Sequence, residues 1–132
     1  MPRAQWPLLH HRPVVEVVLA LRPGAQPLVR QLIADTGAGT AQAGFELVLQ
    51  EDDCLLCGGI PSHPVSLGGA YTGSCPVYVL RAQIPALSFD HHLRAAAVPA
   101  CPAGYGGIAC FRFLNRFTYG NLGDPSVFTL ET

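Results

Sequence analysis

Charged side chains are scarce in this sequence of 132 residues. Asp, Glu, Lys and Arg make up 13% of it, against the usual ~25%. The formal net charge of −1 offers no basic surface for nucleic acid or for an anionic membrane. No apolar run is long enough to span a bilayer, because the run at residues 13–21 contains Glu16 and is followed by Arg22 and Pro23. We therefore expect no nucleic-acid partner and no membrane partner. The sequence also lacks a charged start, an apolar core and a small-residue cleavage site in succession, so we expect no signal peptide.

The cysteine content does not indicate a disulfide framework. The five cysteines are an odd number, and we expect a cytoplasmic protein whose thiols are reduced. Cys54 and Cys57 form a C-x-x-C, which half a zinc site or a redox pair would also show. A tetrahedral zinc needs four ligands, however, and the sequence contains no second C-x-x-C. His63 and Cys75 are the possible further ligands, and their spacing is irregular. We therefore expect buried structural cysteines, no metal and no cofactor.

Apolar residues are plentiful, at 49% of the chain, and turn-forming residues are frequent, with 14 glycines and 12 prolines. This composition favours a mainly β protein with few long helices. The length predicts one domain over residues 1–132, with residues 1–12 as a flexible arm, an edge strand or part of a dimer interface. Low charge combined with high apolar content suits a sheet buried on one face, with a further apolar surface covered by a partner.

Hydrophobic and turn patterns predict the order of the elements. A strand at 14–21, a turn at 22–24 and a strand at 26–34 form a hairpin. A short helix is predicted at 50–57, because acids lie in its first turn, where the helix dipole favours them, and two glycines follow its C-terminal end. The remaining predicted elements are strands at 45–49, 77–84 and 127–130, a hairpin at 86–99 with its turn at 90–92, a loop at 99–107 and a short helix after it.

The stretch most suggestive of chemistry is residues 31–40, which read Q-L-I-A-D-T-G-A-G-T. Three apolar residues run directly into Asp35, and glycines follow at Gly37 and Gly39. This pattern presents one carboxylate from the end of a buried strand, at the mouth of a turn that glycine makes possible. We therefore place the chemistry of the chain at Asp35.

The residues Asp35, Thr36, Gly37 and Ala38, behind that apolar run, resemble the active-site loop D-T/S-G-A/S of aspartic proteases, and in particular the retropepsin-like family. The resemblance implies a closed β-barrel or sandwich with one or two short helices. It also implies catalysis by two carboxylates that share a proton. One activates a water molecule as general base and the other donates a proton to the scissile carbonyl.

One half of such a pair is present in the sequence. None of the other acids is followed by Thr-Gly or Ser-Gly. The resemblance therefore implies a homodimer about a two-fold axis, in which each copy contributes Asp35 and the hydroxyl of Thr36 reaches across the dimer. The expected activity is that of an aspartic endopeptidase, a hydrolase acting on an extended peptide or protein substrate.

Two further segments are similar to the family pattern. The Gly-rich tip near residues 65–73 resembles the flap that closes over substrate, and its candidate substrate-binding residues are Gly68, Gly69, Ala70, Tyr71, Thr72 and Gly73. The segment 108–114 is similar to a late motif that packs beneath the active-site loop, with Ile108, Cys110 and Phe113 as supporting residues. The resemblance also implies that the arm at 1–12 and the strand at 127–130 interleave between subunits.

The late segment departs from the family pattern at two positions. Cys110 stands where the family usually has glycine, and its Cβ would lie beneath the active-site loop. Arg112 stands where many relatives have aspartate, and we expect it to pair with an acid such as Asp90 or to serve solubility alone. These departures keep open a non-catalytic dimeric module for peptide binding or scaffolding with the same fold. A metal- or thiol-dependent protein using Cys54 and Cys57 is the other alternative.

Overall fold

The fold consists of twelve strands and two short α-helices within the residues that the structure, a computed structural model, describes: 2–20, 24, 27–69 and 73–132. In chain order the elements are β1 (Arg3–Pro7), β2 (Val14–Ala20), β3 (Leu28–Ala34), β4 (Leu47–Gln50), α1 (Glu51–Leu56), β5 (Ile60–Pro61), β6 (Val65–Leu67), β7 (Gly73–Cys75), β8 (Val77–Ile84), β9 (Phe89–Val98), β10 (Gly107–Ala109), α2 (Phe111–Leu114), β11 (Thr118–Gly120) and β12 (Val127–Glu131). In this part of the chain no helix is both long and apolar enough to cross a membrane.

Six strands close into a barrel. Their order is β2-β3-β10-β4-β9-β8, and β8 pairs again with β2 through Val18–Gln83, Leu19–Ala82 and Ala20–Arg81. The pairs β3–β10 and β4–β9 are parallel and the others antiparallel. Strands account for 50% of the residues and helices for 11%, which confirms the predictions of a mainly β chain, a closed barrel and short helices.

The sequence explains the barrel through its alternation of side chains. Successive residues of a strand point to opposite faces, and on β2 Val15, Val17 and Leu19 are completely buried while Glu16 and Val18 between them are partly exposed. The buried set continues on the facing strands with Leu32 and Leu80, among others, and forms one main core. Burial of this apolar area is the main force that holds the barrel closed.

The two ends of the chain form a separate three-stranded sheet in the order β1-β12-β11. Trp6 lies opposite Phe128, and Arg3 makes an ion pair with Glu131. Trp6 and Tyr119 pack against the same main core as the barrel strands. The segment 3–7 is thus an edge strand paired within its own chain, and its participation in a dimer stays a prediction.

Residues 86–99 do not form the predicted hairpin, and this prediction was wrong. Residues 89–98 form the single strand β9, and the chain reverses earlier, in a 3-10 turn at Pro85–Leu87 followed by Ser88 in the left-handed region (φ 51°). The polar sequence 90–92 resembles a turn because it is hydrophilic. Its polar side chains are instead exposed on β9, where Asp90 pairs across the ladder with Gln83 and His92 with Arg81.

The bounds of the other predicted elements differ from the observed bounds by at most three residues. The predicted helix at 50–57 is α1, with Glu51, Asp52 and Asp53 in its first turn. The hairpin at 14–34 is β2 and β3, joined in antiparallel register. Residues 21–23, 25 and 26 of this predicted hairpin and its turn lie outside the described residues.

Candidate active site

The backbone around Asp35 is held by the barrel. Asp35 follows directly on β3, and the preceding Ala34 N–H donates to the carbonyl of Pro13 at 2.9 Å. The Asp35 N–H donates to the carbonyl of Ala109 at 3.0 Å. Two neighbouring segments therefore fix the point at which the half-buried carboxylate leaves the sheet.

The turn after Asp35 is organised by its own carboxylate. The Gly37 N–H donates to Asp35 Oδ1 at 2.9 Å, and the Ala38 N–H donates to the Asp35 carbonyl at 3.2 Å. A Cβ at Gly37 would lie 3.3 Å from Asp35 Oδ1, and Gly39 has a positive φ of 73°. Such an Asx turn is typical of Asp before glycine. It occupies Oδ1 and leaves Oδ2 without a hydrogen bond to the described residues.

The late segment lies directly beside this turn. Strand β10 runs parallel to β3, with Ile108 opposite Ile33 and Ala109 opposite Ala34. The Phe111 N–H donates to the carbonyl of Ala38 at 2.9 Å. These contacts place α2 against the Asp35 turn, and the supporting role of the late segment in a catalytic site stays a prediction.

Cys110 is completely buried in this region. Its Sγ lies 3.9 Å from the carbonyl of Ile108, and its N–H donates to the carbonyl of Glu46 at 3.0 Å. Burial, with smaller contributions from the negative charges of Asp35 and Glu46, raises the pKa of the Cys110 thiol to about 12. The side chain is therefore a neutral, packed group.

Phe113 belongs to the main core of the barrel. Its ring centroid is 5.7 Å from that of Phe89 and 5.4 Å from that of Phe117, and it is completely buried. Phe113 therefore anchors α2 in the main core and does not face the space above Asp35.

The prediction for Arg112 was wrong in both of its forms. Arg112 does not pair with Asp90, whose carboxylate accepts hydrogen bonds from Arg81. The Arg112 Nη1 instead donates to the carbonyl of Ala43 at 2.5 Å. The side chain thus ties α2 to the segment that follows the Asp35 turn, which is more than a role in solubility.

A cleft of about 760 Å³ opens above Asp35. Its floor is the Asp35 turn with Ile108, and its opposite wall is β6 with Gly68 and Gly69. Among the described residues that line the cleft, Asp35 is the single charged one. The others are small, apolar or hydroxyl-bearing: Gly37, Ala38, Gly39, Thr40, Ala43, Gly44, Phe45, Val48, Val65, Ser66, Leu67, Gly68, Gly69, Pro102 and Ile108.

The predicted site residues are partly brought together. Of the predicted set, six line the cleft (Asp35, Gly37, Ala38, Gly68, Gly69, Ile108) and four do not (Thr36, Gly73, Cys110, Phe113). Strands β6 and β7 pair in antiparallel register, Val65 with Cys75 and Leu67 with Gly73, below the predicted flap tip. Ala70, Tyr71 and Thr72 of that tip lie outside the described residues.

Several cleft residues were missed by the sequence analysis, among them Phe45, Val48, Val65 and Leu67. Val65 and Leu67 alternate with Ser66 on one face of β6, and this alternation was a usable signal. Phe45 and Val48 carried no such signal, because a short apolar run does not reveal which of its residues face a cleft.

The C-x-x-C pair is packed inside the protein. Cys54 and Cys57 are both completely buried, and Cys57 Sγ lies 3.5 Å from the carbonyl of Cys54. Burial, with the neighbouring Cys57 and acids, raises the pKa of Cys54 to about 12, and burial also raises that of Cys57. Across residues 2–20, 24, 27–69 and 73–132, no group of three or more His, Cys, Asp or Glu side chains is placed to hold a metal ion.

No protein-family model, curated protein or solved structure matches this chain. The likeness to retropepsin-like proteases thus rests on sequence resemblance alone, in the Asp35 turn, the Gly-rich tip near residues 65–73 and the late segment.

Proposed function

We propose that this chain is one half of an aspartic endopeptidase and that Asp35 is its catalytic residue. The observation that carries the proposal is the position of Asp35, which is the single charged side chain among the described residues that line a largely apolar cleft. The sequence Asp35-Thr36-Gly37-Ala38 at the end of a barrel strand supports the same activity.

The chemistry requires a second copy of the chain. One carboxylate must accept a proton from the attacking water while another donates a proton to the scissile carbonyl. Asp35 Oδ1 already accepts the Gly37 N–H, which leaves Oδ2 for a proton shared with Asp35 of the second copy. Two carboxylates that share a proton do not both ionise, because their like charges repel, and their protons are lost in steps that belong to the pair.

The proposed substrate is an extended peptide that lies between the Asp35 turn and the β6–β7 hairpin. The cleft volume of about 760 Å³ falls within the range of ligand-binding clefts, roughly 300–1,000 Å³. The arms of the hairpin form a two-stranded sheet of their own. A hairpin that is separate from the barrel ladder suits a lid that opens to admit a peptide and closes to exclude water.

The first experiment compares Asp35→Asn with the unchanged protein on a mixed peptide library between pH 4 and pH 6.5, with cleavage products read by mass spectrometry. We expect Asp35→Asn to lower the cleavage rate at least about 100-fold, since it removes the general acid–base group. Asp52→Asn is the matched control, because Asp52 is an exposed acid on α1 that does not line the cleft. It should cut at the original rate.

Sedimentation of the same samples tests the dimer. We expect Asp35→Asn and Asp52→Asn to sediment as dimers like the unchanged protein. Absence of cleavage by the unchanged dimer, with peptide binding retained by Asp35→Asn, would reject the endopeptidase and support the non-catalytic peptide-binding module. An active protein that sediments as a monomer would reject the shared pair.

A further inference from the structure

Three of the eight basic residues of this chain converge on one pocket away from Asp35. All eight are arginines, since the sequence contains no lysine. The pocket measures about 290 Å³ and lies where α2 meets the outer face of β8 and β9. Its lining residues are Phe45, Glu46, Val79, His92, Leu93, Arg94, Arg112 and Arg116.

Arg116 is neutralised by the one acid in the pocket. Its Nε and Nη2 donate to the two carboxylate oxygens of Glu46 at 2.6 and 2.8 Å, and Glu46 is only 5% exposed. A buried carboxylate needs such a bidentate partner. The Glu46–Arg116 pair therefore forms a fixed, neutral wall.

The other two arginines retain their positive charges. Arg112 uses one N–H group for the carbonyl of Ala43, a neutral acceptor, and its remaining donors have no partner among the described residues. Arg94 is exposed on β9, opposite Val79, and its backbone carbonyl accepts the Glu46 N–H at 2.9 Å. Its guanidinium makes no hydrogen bond or ion pair with the part of the chain that the structure describes. The pocket thus carries two uncompensated positive charges in a protein of net charge −1.

We propose that this pocket binds a small oxyanion of the phosphate class, either free phosphate or the phosphate group of a monoester. Guanidinium groups present paired N–H donors that match the oxygens of such an anion. A volume of about 290 Å³ admits a group of this size and is small for a peptide. Among the described residues that line the two pockets, Phe45 alone is shared with the cleft above Asp35, and the proposal does not rest on the peptidase activity.

The experiment is a calorimetric titration of the full chain with inorganic phosphate at constant ionic strength, with chloride as the compensating ion. We expect saturable binding by the unchanged protein. Arg94→Gln should weaken binding about tenfold, the value of one charge-assisted hydrogen-bonding group. Arg94→Lys should bind phosphate more tightly than Arg94→Gln but less tightly than the unchanged protein. The lysine ammonium keeps the positive charge but lacks the paired N–H donors of the guanidinium.

Arg12→Gln is the matched control. Arg12 is exposed, its side chain makes no hydrogen bond within the described residues, and it does not line the pocket. Arg12→Gln removes the same charge and should bind phosphate as the unchanged protein does. Arg94→Gln removes no side-chain hydrogen bond or ion pair among the described residues, so we expect its thermal midpoint to match that of Arg12→Gln.

Titration with phenyl phosphate distinguishes the two sources of the anion. Stronger binding of free phosphate indicates the ion itself, and stronger binding of the monoester indicates a phosphate carried by a larger molecule. Either result, with its dependence on Arg94, supports the site. Absence of saturable binding of both probes, or equal binding by Arg94→Gln and Arg12→Gln, overturns it.

Discussion

At the scale of single residues, burial divides the five cysteines into four that are buried and one that is partly exposed. Cys54, Cys57, Cys75 and Cys110 are buried, and Cys101 is partly exposed. Burial also raises the pKa of Cys101 to about 11. Because the thiolate is the reactive form, we expect iodoacetamide at pH 8 to modify Cys101 slowly in the folded protein and the other four not at all. Peptide mapping after a timed quench measures this.

Two controls complete the thiol experiment. Denatured protein should be modified at all five positions, and folded Cys101→Ser at none. Modification of folded Cys110 at the rate of Cys101 would contradict the packing of α2 against the Asp35 turn.

The residue scale also shows what sequence can and cannot predict about the site. The position of Asp35 in a turn at the end of a strand was predictable, because an apolar run, an acid and two glycines make a local pattern that needs no knowledge of distant contacts. Its catalytic role stays a prediction. The partner of Arg112 was predicted wrongly because it is a backbone carbonyl, that of Ala43. Every residue has such a carbonyl, so the sequence offers no signal for the contact.

At the scale of elements, the outward face of the β8–β9 ladder carries the best-defined pH response. Hydrogen bonds from Arg81 lower the pKa of the Asp90 carboxyl to about 2, with a weaker contribution from Gln83. A lowered folded-state pKa means that the pair stabilises the fold above the ordinary carboxyl pKa. That contribution is lost as the pH falls from 3.8 towards 2. It is small, since both side chains are exposed.

The corresponding experiment is a carboxyl-carbon NMR titration of Asp90. We expect a pKa of about 2 in the unchanged protein and a value raised towards 3.8 in Arg81→Gln. Arg12→Gln removes a distant arginine and should leave the Asp90 pKa unchanged. An unaltered Asp90 pKa in Arg81→Gln would refute the ion pair.

Strands with alternating apolar residues were predictable, whereas a polar strand segment was not. β2 was found because its sequence is rich in β-branched residues and a turn signal follows it, and β3 because an apolar run pairs back as the second arm of the hairpin. Residues 90–92 were misassigned to a turn because a polar strand segment and a turn have similar composition. The reversal at Pro85–Leu87 lacks glycine, and Ser88 adopts the left-handed conformation that glycine would adopt more easily.

At the scale of the whole molecule, the terminal sheet and the barrel share one core. Trp6 of β1 and Tyr119 of β11 pack against the cluster that contains Leu32 and Leu80 of the barrel. We therefore expect a single cooperative unfolding transition. Trp6 is the sole tryptophan, so its fluorescence reports β1 alone, while circular dichroism reports all strands. The two urea midpoints should coincide.

The matched variant for this test is Phe128→Ala, which removes the ring opposite Trp6. It should lower the free energy of unfolding by roughly 3 kcal/mol or more. Both urea midpoints should fall together. A Trp6 transition that precedes the circular dichroism transition would show that the terminal sheet detaches by itself.

The pairing of the β6–β7 hairpin determines which substitutions this side of the cleft can tolerate. Its ladder of three residue pairs is separate from the barrel ladder within the described residues. Substitutions and insertions in its arms therefore leave the hydrogen bonds of the barrel intact. Val65 and Cys75 of the arms nevertheless pack in one cluster with Val48 and Val98 of the barrel. We therefore expect the exposed Ser66 to tolerate replacement more readily than these two positions.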